Sequence, residues 1–235
     1  LELSLKNALV IQHVDFEGLG HIKPWLVQHG YRITTYHPPG DAVWTINMAH
    51  VDLLVILGGP MSVNDRDRLA FIDDEIHLVE TALETAVPTL GICLGAQVLA
   101  VAAGGTVRPM PMLEIGLAPV QLTDQGKQTA LRHLAADQPV LHWHGEAIDL
   151  PPNGVCLART NACNVQAFAI GPRMLGLQFH LETDLKCISD WTQGHASDVS
   201  AAGANPDLLI AEAHQYADAA ANACSQVIEE WLKSL

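Results

Sequence analysis

Positive charge is scarce in this sequence: 12 Lys and Arg stand against 26 Asp and Glu, a formal net charge of −14. A phosphate backbone or an anionic lipid surface selects clustered Lys and Arg, so neither nucleic acid nor a membrane is expected as the main partner. Long hydrophobic runs are missing too. No stretch reaches the length of a bilayer span, and the start, LELSLKNALVIQH, has no basic segment ahead of an uninterrupted apolar one. The expectation is an unexported, cytoplasmic protein. Leu rather than Met at position 1 points to a trimmed or engineered end, from which no function is read. The five cysteines, at 93, 156, 163, 187 and 224, are odd in number and contain no CxxC pair of zinc-like spacing. That excludes a disulfide framework and fits reduced thiols. There is no low-complexity tract, no repeat of fixed period and no G-x-x-x-x-G-K-S/T phosphate loop.

What is present is an ordinary globular composition, 49% hydrophobic and 16% charged, over 235 residues. That length suffices for one large α/β domain spanning 1–235 with a well-buried core. Short apolar runs bounded by turn residues occur at NALVIQH (7–13), YRITTYH (31–37), VDLLVILGG (51–59) and PTLGIC (88–93). Each is too short for a typical helix and reads as a buried parallel strand. Helix-like stretches at 66–86 and 94–103 alternate with them, which predicts a doubly wound sheet with helices on both faces. From Gly105 to Glu182 the rhythm changes to closely spaced strands, GTVRPM, IGLAPVQLT, VLHWHGE, VCLART, VQAFAIG and RMLGLQFHLE, so this half is expected to be antiparallel or mixed. One short helical insert is expected near 126–136. Residues 192–205, small, polar and glycine-containing, read as a surface loop. Asn205-Pro206-Asp207 then supplies an N-cap and a first-turn proline. Ala213, Tyr216, Ala220, Cys224, Val227 and Trp231 follow at helical spacing, predicting an amphipathic C-terminal helix.

The most informative segment is Gly91-Ile92-Cys93-Leu94-Gly95, where a short apolar strand runs into a helical stretch. It is a thiol version of the G-x-S-x-G elbow: the glycines permit a sharp strand-to-helix turn that strains Cys93 and presents its sulfur to solvent. The positive end of the helix dipole favours the thiolate there. A lone cysteine is usually a small core residue, and the flanking glycines are what reverse that reading for Cys93. The other four cysteines lack such a setting and are taken as structural.

A thiol nucleophile needs a base and a group to orient it, and FHLE offers His180 and Glu182. In an extended segment a spacing of two puts both on one face. A strand-end His–Glu pair is otherwise unremarkable among twelve histidines, so the role of His180 rests on Cys93. Acyl transfer also needs donors for the oxyanion; the amide of Leu94, next after the nucleophile, is one. Gly58-Gly59-Pro60, after the third strand, is either a plain tight turn or a backbone that approaches a ligand closely at the sheet's carboxyl edge.

With these residues in hand, three blocks, LGGPMS (57–62), GICLGAQ (91–97) and GLQFHLE (176–182), resemble the class I, triad-type glutamine amidotransferase family. The likeness is strongest to stand-alone proteins similar to the amidase domain of GMP synthetase. It covers about 8–185, leaving 186–235 as a C-terminal helical extension, and it implies a flavodoxin-like open mixed sheet. By resemblance Cys93 is the nucleophile, His180 the base and Glu182 its partner, while the amides of Gly59 and Leu94 form the oxyanion hole. Gly58 and Gln97 are implied at the substrate, with Trp143, His144 and Gly145 gripping its amino-acid end. The expected reaction is hydrolysis of glutamine to glutamate and ammonia through a cysteine γ-glutamyl thioester, with no cofactor and no metal. A separate synthetase subunit could use the ammonia, since no synthetase module fits in this chain. Two alternatives stand beside this: a γ-glutamyl peptidase acting on γ-glutamyl compounds, and a silent regulatory or binding module.

Overall fold

The structure, a computed structural model, describes residues 5–235, so the reading made at Leu1 lies outside it. The chain runs β1 (Lys6–Ile11), α1 (Ile22–Gln28), β2 (Tyr31–Tyr36), β3 (Leu53–Ile56), α2 (Phe71–Thr85), β4 (Thr89–Ile92), α3 (Leu94–Ala102), β5 (Thr106–Pro119) and β6 (Gln121–Leu122). It continues through β7 (Pro139–Asp149), β8 (Gly154–Arg159), β9 (Ala167–Ile170), β10 (Met174–Leu177), α4 (Ile188–Gly194), α5 (Ala196–Ala201) and α6 (Pro206–Lys233). The insert expected near 126–136 is present as two 3₁₀ turns.

Eight strands form one sheet in the order β2-β1-β3-β4-β10-β9-β8-β6. Strands β2, β1, β3, β4 and β10 are parallel, and β9, β8 and β6 extend the sheet antiparallel. Every residue of β3, β4 and β10 is buried, as their unbroken apolar character demands of strands covered on both faces. Helices α2 and α3 cover one face, through Ile72, Ile76, Val79, Val98 and Leu99. Helices α1 and α6 cover the other, through Trp25, Leu26, Cys224, Val227 and Trp231. The parallel half has the flavodoxin-like strand order, with β10 as its fifth strand. No helix among the described residues is long and apolar enough to cross a membrane.

Strands β5 and β7 form a separate antiparallel ribbon, from Thr106 opposite Asp149 to Pro119 opposite Pro139. The two strands expected from GTVRPM and IGLAPVQLT are thus largely one long strand, with an irregular register between Pro109 and Glu114. A third apolar cluster, Leu141, Trp143, Ile188, Trp191, Val199 and Leu209 among others, ties this ribbon to α4, α5 and the first half of α6.

The C-terminal helix begins as its sequence predicts: the Asn205 side chain accepts hydrogen bonds from the amides of Asp207 and Leu208, and Pro206 opens the first turn. Two other expectations need correction. Residues 192–205 are mostly helical, because Ile188, Trp191 and Val199 bury one face against the third cluster. Gly194 reflects crowding there rather than a loop, since a Cβ would strike the Phe16 ring. In the other case, β10 ends at Leu177, so His180 and Glu182 do not lie in an extended strand. His180 is fixed by an isolated bridge to Leu141, donating its amide to the Leu141 carbonyl at 2.8 Å.

Candidate active site

Strand β4 delivers Cys93 at the sheet's carboxyl edge, and α3 starts at the next residue. Cys93 has φ 51° and ψ −107°, a conformation that costs a non-glycine residue about 1–3 kcal/mol and persists only where its surroundings over-determine it. Those surroundings are visible: the Cys93 amide donates to the Leu177 carbonyl at 2.8 Å, and its own carbonyl accepts from the Gln97 amide at 3.1 Å. The flanking glycines are needed for close packing. A Cβ on Gly91 would overlap the Gly95 carbonyl oxygen, and one on Gly95 would overlap that of Ile56. Cys93 is only 7% exposed; it lines a cavity rather than standing on open surface. Its Sγ is 3.6 Å from the Trp143 carbonyl oxygen.

His180 lines the same cavity as the thiol. Its Nδ1 is 2.8 Å from Glu182 Oε1, and the ring meets Trp191 edge-on at 4.6 Å. Burial alone would lower the His180 pKa, but the Glu182 charge and the Cys93 thiol outweigh it and hold the imidazole well above its usual range. With Nδ1 committed to Glu182, Nε2 is the free ring nitrogen, buried and without a hydrogen-bond partner among the described residues. Glu182 lies behind the imidazole, 1% exposed, and also accepts from Thr183 Oγ1.

A cavity of about 210 Å³ opens over Cys93. Gly59, Cys93, Leu94, Gln97, Trp143, His144, Gly145 and His180 all line it, whereas Gly58 does not. Gly58 is packed between neighbours: a Cβ there would overlap Glu17 Oε2 and come within 2.9 Å of His180 Cε1. The Gly58-Gly59 turn is anchored by His13, whose Nδ1 is 2.9 Å from the Gly58 carbonyl oxygen and whose Nε2 is 3.0 Å from Glu75 Oε1. Burial lowers the His13 pKa, yet its bond to Glu75 and that residue's charge leave it raised overall. As the first residue of α3, Leu94 has an amide without an intrahelical acceptor at a helix N-terminus, and the residue lines the cavity. The buried Gln97 Oε1 has no hydrogen-bond partner among the described residues.

The family model of the class-I glutamine amidotransferases matches residues 16–188. The chain belongs to the class-I glutamine amidotransferase family. These are enzymes, and this amidotransferase is similar to both stand-alone and synthetase-linked ones. It is 29% identical over 187 residues to the glutamine amidotransferase-like protein YfeJ of Salmonella typhimurium, covering 78% of each chain. It is 36% identical over 134 residues to one subunit of the glutamine-hydrolyzing GMP synthase of Sulfolobus acidocaldarius, 56% of this chain and 67% of that one. Against the glutamine-hydrolyzing GMP synthase of Pediococcus pentosaceus the match is 34% over 131 residues, 55% of this chain but only 24% of that protein's length. Among solved structures, a glutamine amidotransferase from Thermotoga maritima superimposes with a TM-score of 0.88 at 26% identity, over 97% of this chain and 98% of that one.

The amidotransferase cavity also contains residues that sequence reasoning missed. Glu17, Ser62, Glu146, Trp191, His195 and Asp198 all line it. Glu17 and His195 form a second buried His–Glu pair, Oε1 to Nε2 at 2.8 Å, although 178 positions separate them. The available signal was the spacing Ile188, Trp191, His195, one face of a helix, hidden by the neighbouring glycine and polar residues. Nothing local marks Glu17.

Proposed function

We propose that this chain hydrolyses the side-chain amide of glutamine, with Cys93 as nucleophile, His180 as general base and acid, and Glu182 as the group that orients it. The observation that carries the reading is the convergence of a strained, buried thiol and a carboxylate-held imidazole on one cavity. Cys93 Sγ, its proton already held on His180 Nε2, attacks the δ-carbonyl carbon. The amides of Leu94 and Gly59 receive the oxyanion. Collapse of the tetrahedral intermediate breaks the C–N bond, His180 returns the proton to the nitrogen, and ammonia leaves. Water, deprotonated by the same imidazole, then cleaves the γ-glutamyl thioester to glutamate and regenerates the thiol. The unpartnered Gln97 Oε1 offers an acceptor to the substrate, and the backbone of 143–145 borders the place for its amino-acid end.

Similarity to a GMP synthase subunit that is a separate chain supports delivery of the ammonia to a separate synthetase partner. The cavity wall argues for glutamine over γ-glutamyl peptides such as glutathione. Glu17, Glu146 and Asp198 line it, and no Lys or Arg does among the described residues, so a leaving group with its own carboxylate meets like charge. Comparing kcat/KM for glutamine and glutathione, with and without cell extract, tests this: turnover restricted to the peptide ends the glutaminase reading. Failure of an electrophilic glutamine analogue to label Cys93 would instead favour a silent module.

A further inference from the structure

Beside the β5–β7 ribbon is a polar cluster whose side chains take no part in the proposed bond-making steps, although one member, His144, also lines the cavity. His142 and His144, two apart on β7, share one face, and Glu114 stands opposite His144 across the ribbon. One donor atom from each of the three lies within 4.8 Å of the other two. His142 is 1% exposed and His144 5%.

The hydrogen bonds fix which imidazole nitrogens are free. His142 Nε2 is 3.1 Å from the Ala118 carbonyl oxygen, and His144 Nδ1 is 3.0 Å from that of Glu146. A carbonyl oxygen only accepts, so each of those nitrogens carries the proton, and in neutral rings the lone pairs fall on His142 Nδ1 and His144 Nε2. His142 Nδ1 is buried with no partner among the described residues. His144 Nε2 faces Glu114 Oε2 at 3.1 Å, a lone pair against a carboxylate. A cation held by His142 Nδ1, His144 Nε2 and Glu114 Oε2 would satisfy all three atoms, and a backbone carbonyl holding the remote N–H is how proteins orient metal-bound imidazoles. Gln166 completes the surround. Its Nε2 is 2.7 Å from Glu114 Oε2 and 3.3 Å from His144 Nε2, while its Oε1 is buried and unpartnered among the described residues. Turning the amide over brings that oxygen to a fourth position.

We propose that Glu114, His142 and His144 form a binding site for a divalent transition ion, zinc by the donor set of two imidazoles and one carboxylate. The ion is structural: it clips β7 to β5 behind Trp143 and Gly145, which line the cavity, and takes no part in bond making.

The test uses the full chain carrying Cys93→Ala, so that the thiol cannot ligate, stripped by a chelator and shown to be folded by circular dichroism. Titration with Zn²⁺ by calorimetry, and with Co²⁺ by visible absorption, is expected to give one tight equivalent per chain, with Co²⁺ bands of a low-coordinate site. Adding His142→Ala or Glu114→Gln should weaken that equivalent by at least about a hundredfold, whereas His77→Ala, on the exposed face of α2, should leave it intact. Absence of a stoichiometric equivalent in the folded Cys93→Ala chain overturns the proposal without any further variant. Binding that survives loss of His142 and Glu114 overturns it as well, since the ion then sits on other histidines.

Discussion

Two His–Glu pairs face each other across Gly58, and they differ in what the second ring nitrogen sees. His180–Glu182 and His195–Glu17 have the same 2.8 Å separation, and both are buried. In the first, the carboxylate takes Nδ1 and leaves Nε2 to the Cys93 thiol. In the second, the carboxylate takes Nε2, and Nδ1 is 3.9 Å from Asp198 Oδ2. His195 therefore has carboxylates at both nitrogens and no nucleophile to deprotonate. A His–Glu pair is not by itself a general base; the group facing the other nitrogen decides. Since Glu17, His195 and Asp198 line the same cavity, the second pair is suited to shaping and charging its wall.

Cys93→Ala gives the largest expected effect, because it leaves both pairs standing and removes what distinguishes them. Ammonia release from glutamine should fall by about 10⁴-fold or more, and retention of turnover would mean that neither pair serves a thiol. Glu182→Gln should follow, at roughly 10³–10⁴ in kcat, since an amide no longer sustains the imidazolium or its tautomer. Gly58→Ala acts on both pairs at once: its Cβ would displace Glu17 and press on His180. A displacement of about 1 Å at the base costs up to about 10² in rate. Glu17→Gln should cost about tenfold or less, mostly in KM. A kcat loss equal to that of Glu182→Gln would break the distinction between the pairs.

The same contrast explains what could be read from the chain. The pair with a spacing of two, the elbow glycines and the Gly-Gly turn are local patterns, so Cys93, His180, Glu182 and Gly59 were visible as candidates before any fold was known. Glu17 and His195 meet only because α4 and α5 fold back over the start of the chain, with Phe16 packed on Gly194 and against the His195 ring at 5.0 Å. No periodicity encodes such a contact. The buried strands of the doubly wound half declared themselves through unbroken apolar runs. The 192–205 segment did not, because its helices are short and its apolar anchors, Ile188, Trp191 and Val199, are spread among polar residues. Glycine misled there because it marks crowding rather than a loop, whereas at Gly91 and Gly95 the same close packing belongs to the elbow that the sequence predicts.

The smallest expected effect concerns stability and follows from the sign of the His180 shift. Burial opposes the charged ring, but Glu182 and Cys93 raise its folded pKa well above the 6.5 of the unfolded chain. The native state therefore binds the proton more tightly. The resulting stabilisation is fully present below about pH 6.5 and is lost as pH rises through the folded value. In His180→Asn the ring is gone and this contribution with it. The gap in Tm between parent and variant should thus be wider at pH 6 than at pH 9. A gap that widens toward alkaline pH would mean that the fold favours the neutral ring, and that Glu182 does not hold His180 charged beside the thiol.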